Sequence, residues 1–66
     1  MFKVGDEIRG LPCNGYCRTN EKMTRGVVVR TDQYGIMWVL IVEHKNRAAV
    51  GHTYPVSNSE KLFERI

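Results

Sequence analysis

At 66 residues, with ten Lys and Arg against seven Asp and Glu for a formal net charge of +3, the chain is a single small, mildly basic domain. So short a chain buries only about 60% of the surface its unfolded form exposes, and a lone core of this size seldom contributes more than about 3–5 kcal/mol. A hydrophobic fraction of 42% excludes a disordered chain, and no apolar run approaches the roughly 20 residues that cross a bilayer.

The chain opens with Phe2-Lys3-Val4-Gly5-Asp6, which turns acidic where the apolar stretch of a secretory signal would lie, so a cytoplasmic location is expected. Gly5-Asp6 has turn chemistry, because Gly tolerates positive φ and Asp bonds the backbone that follows it. Glu7, Ile8 and Arg9 then alternate charged and apolar, as a half-buried strand does. Pro12 has no N–H for a ladder and ends that strand. Residues 12–23 show no period; Asn14-Gly15 and Thr19-Asn20 are turn material, and the stretch reads as a long first loop.

Arg25 to His44 carries the fold. Val27-Val28-Val29 and Met37-Trp38-Val39-Leu40-Ile41-Val42 are β-rich runs separated by a polar connector containing Gly35, the pattern of a β-hairpin with a longer loop. The second run is apolar on both sides. Assigning Trp38, Leu40 and Val42 to the core leaves Val39 and Ile41 as an apolar interface, open to a partner or to a second copy of the chain in a homodimer. On that assignment, truncating Trp38 should unfold the domain. Lys45-Asn46-Arg47 is a basic turn, and Ala48 to Tyr54 reads as the next strand, stopped by Pro55. Ser57 and Glu60 have the spacing of a capping box, predicting one short helical turn before a last strand over 62–66.

No nucleophile–base pairing, phosphate loop or metalloprotease motif is present, so no enzyme activity and no cofactor are expected. Cys13, Cys17, His44 and His52 supply the donor types of a zinc site. Their Cys-x₃-Cys and His-x₇-His spacings depart from the usual ones, so no metal is assigned. The residues with binding chemistry are basic and aromatic. Arg18, Lys22 and Arg25 fall in or beside the long loop, Arg30 ends the first hairpin strand, and Lys45 and Arg47 occupy the next turn. Tyr16 and Tyr34, at loop tips, could stack on bases while these cations hold phosphates.

The succession Phe2-x-Val4-Gly5-Asp6-x-Ile8, Gly26-Val27-Val28 opening a hairpin, an apolar strand, a short helical turn and a last strand resembles the Src-homology-3-like small barrels, among them KOW and Tudor modules and small phage-encoded or accessory proteins. The resemblance implies an all-β, five-stranded Src-homology-3-like barrel over residues 1–66. It further implies a non-enzymatic binding module. Nucleic acid is the first expected partner; the alternative is docking on, and modulating or inhibiting, a larger cellular protein. The paired tryptophans of a proline-peptide groove and the aromatic cage of Tudor modules are not found in this sequence.

Overall fold

A computed structural model describes residues 1–11 and 23–66. Five strands, β1 (Glu7–Gly10), β2 (Met23–Thr31), β3 (Ile36–His44), β4 (Thr53–Ser57) and β5 (Phe63–Arg65), form one antiparallel sheet in the order β4-β3-β2-β1-β5. The all-β architecture follows the sequence reading. Among the described residues no ladder joins β4 to β5, so the sheet is open where a closed barrel was expected. No helix among them is long and apolar enough to cross a membrane.

The β2–β3 hairpin is the longest pairing, running from Met23 opposite His44 to Thr31 opposite Met37. Its register slips between Val28 and Arg30, where two residues of β2 face one step of β3. Such a bulge turns the following residues to the opposite face of the sheet. Val28, opposite Val39, is buried; Arg30, opposite Trp38, is exposed.

The core lies on one face. Phe2, Ile8, Val28, Met37, Val39, Ile41 and Phe63 are buried together, with Val56 and Leu62 packed against them. Burying each of the larger side chains contributes about 1.5–3 kcal/mol relative to leaving it exposed. This reverses the expected faces of β3. Val39 and Ile41, read as an interface for a partner or a second copy, are 0% and 2% exposed, whereas Val42, read as core, is 45% exposed. Trp38 and Leu40 are only partly buried. Ile8 and Phe63, from strands distant in sequence, cover the Met37/Val39/Ile41 side and decide which of two apolar faces is wet.

Two boundaries also move. Ala48 and Ala49, expected to begin β4, instead lie in a 3-10 turn, Arg47–Ala49, whose start is held by the Asn46 Oδ1 accepting the Ala48 N–H at 3.0 Å. Pro55 sits inside β4 rather than ending it. The Asn58 N–H donates to the Gly35 carbonyl at 2.8 Å, so alternation along this ladder turns position 55 away from β3. β4 is a sheet edge, where a missing N–H costs no ladder bond. The short turn before β5 begins at Ser59, not Ser57. The Ser59 carbonyl accepts from the Leu62 and Phe63 N–H groups, and its Oγ accepts from the Lys61 N–H. Ser57 remains in β4.

The N-terminal segment is tied in by paired bonds. The Phe2 N–H donates to Asn58 Oδ1 at 2.8 Å, and Asn58 Nδ2 donates to the Phe2 carbonyl at 3.0 Å. The turn beyond it docks on β2: the Gly5 N–H donates to the Val28 carbonyl, and the Val28 N–H to the Asp6 carbonyl. Gly5 has φ +93°, which L side chains rarely adopt. Asp6 accepts the Lys3 N–H at 2.8 Å and pairs with Arg65 at 3.1 Å. These contacts, led by the Lys3 backbone bond, hold its carboxyl below the ordinary value of 3.8.

A carboxyl whose pKa is lowered by folding stabilises the folded state above its unfolded value, and that contribution disappears as pH falls through the folded value. Thermal melts should therefore show stability dropping below about pH 4, an acid limb that Asp6→Asn flattens. An identical acid limb in the variant would show that Asp6 contributes nothing to it.

Candidate nucleic-acid interface

The outward face of β2, β3 and β4 carries the only ordered grouping of cation and aromatic side chains that the described residues place in one ladder row. The Arg30 guanidinium lies over the Trp38 ring, 4.5 Å from its centroid. Arg30 and Trp38 are direct register partners, and Pro55 is opposite Trp38 on the other side. Val27, Leu40 and Thr53 form the next row on the same face. A cation over a tryptophan face is attracted by the ring quadrupole, by about 0.5–1 kcal/mol at an exposed site. Arg30 is itself exposed, so its guanidinium is accessible on the side away from Trp38.

The hairpin tip adjoins this face. The Asp32 Oδ1 accepts the Tyr34 and Ile36 N–H groups, each at 2.9 Å, and the Asp32 N–H donates to the Ile36 carbonyl at 3.0 Å. Gly35, at φ +81°, completes the reversal. Asp32 thus ties its carboxylate to the turn backbone, and the turn presents Tyr34 with 79% of its surface exposed. A built loop whose largest side chain faces solvent is a surface suited to stacking.

The other cations divide. Arg25 pairs with Glu43 at 3.8 Å, near the end of the β2–β3 ladder away from the turn, where the register slips again between Arg25 and Gly26. Lys45 and Arg47 lie in the connector after β3, at the opposite end of the hairpin from Tyr34, and among the described residues neither forms an ion pair. Arg9 is paired with Glu64, and Arg65 with Asp6. Of the basic and aromatic residues singled out in the sequence, the structure therefore brings Arg30 and Tyr34 to one end and leaves Arg25, Lys45 and Arg47 at the other.

Tyr16, Arg18 and Lys22 lie outside the described residues, as do Cys13 and Cys17. His44 ends β3 and its Nδ1 accepts the Asn46 N–H at 2.9 Å. His52 follows the 3-10 turn, its ring 6.5 Å from that of Tyr54.

Trp38 is the functional candidate that the sequence hid, because its strand offers two equally apolar faces. The one sign of its outward position, Arg30 opposite it, becomes visible only once the bulge in β2 is known. Comparison of the chain with family models, with curated proteins and with solved structures finds no match.

Proposed function

We propose that the protein is a non-enzymatic binding module of the Src-homology-3-like type that contacts nucleic acid. The strand order supports the fold reading, since a β1–β4 meander whose last strand returns to pair with β1 is the layout such small barrels share. The functional reading rests on one observation: on a chain of net charge +3, Arg30 lies over an outward Trp38 at the end of the hairpin that presents Tyr34. Aromatic and guanidinium planes offer stacking to any base, and cations hold the phosphates between bases. Arg18 and Lys22 in the first loop, and Lys45 and Arg47 after β3, are the remaining phosphate candidates.

Fluorescence anisotropy with a labelled oligonucleotide across a salt series tests this. Affinity should fall steeply with salt, the log–log slope measuring the number of phosphates neutralised. Arg18→Ala with Lys22→Ala should reduce both affinity and slope while the circular dichroism spectrum stays unchanged. Absence of binding at low salt would overturn the proposal.

A second reading, docking on a larger protein, is favoured by the composition of the same face. Trp, Tyr and Arg are the residue types that dominate interface energetics, and Leu40 and half-exposed Val42 extend the apolar strip beside them. One stoichiometric protein captured from extract, resistant to nuclease and to salt, would support it over nucleic acid.

A further inference from the structure

We infer that Arg30, Trp38 and Tyr34 form a stacking platform for one unpaired base, so that the protein selects single strands over duplex; this rests on the nucleic-acid reading. Arg30 has no carboxylate partner among the described residues, unlike Arg9, Arg25 and Arg65. Its guanidinium lies over Trp38, 4.5 Å from the ring centroid, and the residue remains exposed on the other side. An arginine held over a ring in this way is not placed as a roaming point charge for phosphate. It is placed as the second layer of a stack, and the third layer is the base. Guanidinium planes and aromatic rings are the two surfaces on which splayed bases are stacked.

Tyr34, in the turn at the same end of the hairpin, supplies a further aromatic surface. Its backbone is fixed by the Asp32 carboxylate while 79% of the residue remains exposed, so stacking there gives up little further backbone freedom. Because every base has a π-face, such a platform reads strandedness rather than sequence. In a duplex both faces of each base are already covered by neighbours, and the platform has nothing to take up.

Trp38 is the sole tryptophan of the chain and reports on its own site. The experiment titrates the wild-type protein with an oligothymidylate of about ten nucleotides, within the usual 4–16 nucleotide site sizes, with an oligouridylate, and with a duplex of the same length. Tryptophan emission and anisotropy are read together. Both single strands should change Trp38 emission on binding, and the duplex should bind more weakly by at least about tenfold, within the gain expected from one stacked base.

Arg30→Lys keeps the charge but loses the plane; it should lower single-strand affinity by about 5- to 150-fold without altering the salt slope. Tyr34→Leu, at an exposed tip that leaves the fold untouched, should also weaken single strands more than duplex. Binding without any change in Trp38 emission, equal affinity for duplex, or an Arg30→Lys protein within twofold of wild type would each overturn the platform while leaving nucleic-acid binding standing. Failure of the wild type to bind any of the three probes would overturn both.

Discussion

Replacing Val39 by Asp should abolish folding, whereas the same replacement three residues later, at Val42, should leave a folded protein. Both are valines on β3, and they differ in the face they occupy. Val39 is 0% exposed, packed in the cluster of Phe2, Ile8, Val28, Met37, Ile41 and Phe63. A carboxylate there must remain uncharged or be stripped of water without a partner, and either state costs several kcal/mol. The whole margin of a domain this size is about 3–5 kcal/mol. Val42 is 45% exposed on the outward face, where Asp stays hydrated and the cost is limited to poorer strand propensity and some lost packing, about 1 kcal/mol. Circular dichroism melts of the two variants decide the matter. A cooperative transition for Val39→Asp, or its loss for Val42→Asp, would mean that the faces of β3 are the other way round.

The second large effect is expected at Gly26. Gly26 lies in β2 between Ile8 of β1 and Ile41 of β3, where the backbone is covered on both sides. A Cβ there would overlap Val39 Cγ1 and meet the Leu40 carbonyl oxygen at 3.0 Å. Neither can give way cheaply: Val39 is fully buried with a stiff branched side chain, and the carbonyl belongs to the central ladder. Gly26→Ala should therefore destabilise by about 1–3 kcal/mol, the usual cost of overpacking a filled core, seen as a large fall in the urea midpoint. Gly51→Ala is the control. It meets nothing within 4 Å but carries φ +88°, so its penalty is confined to backbone strain of about 1 kcal/mol. A Gly26→Ala midpoint no lower than that of Gly51→Ala would show that β1 and β3 do not approach Gly26 this closely.

These two sites also mark where the sequence was legible and where it was not. Strand existence was readable, because Val27 to Val29 and Met37 to Val42 are rich in branched and aromatic residues and Gly35 permits the positive φ of the turn between them. The faces were not readable. Alternation along β2 alone puts Val28 and Arg30 on one side; only the bulge after Val28 sends Arg30 outward with Trp38. A bulge of this kind is set by pairing partners and leaves no local residue signature. Pro55 was misleading for a related reason. Its missing N–H forbids a central strand but not an edge, and which strand forms the edge depends on the whole sheet order.

The site was legible to a similar degree. The positions of Tyr34 at an exposed turn and Arg30 near a strand end were readable from turn and strand chemistry. Trp38 was mistaken for core, because a large aromatic in an apolar run is by default read as buried. The separation of Lys45 and Arg47 from Arg30 follows from their positions beyond opposite ends of β3. The ion pair of Arg25 with Glu43 depends on register, which the sequence does not display.

The position of β1 has a consequence for how the protein is made. β1 sits between β2 and β5, with Ile8 opposite Gly26 on one side and Arg65 on the other. The hairpin of β2 and β3 is local and forms within about 1–10 μs once both strands are available. Phe63, which covers the same core, is encoded 22 residues after Ile41. At a synthesis rate of about 5–20 residues per second, Met37, Val39 and Ile41 wait roughly 1–4 s for it. Until Phe63 joins, the apolar face that Phe2, Ile8 and Val28 share lacks part of its cover, which is the moment at which aggregation and chaperone capture compete with folding.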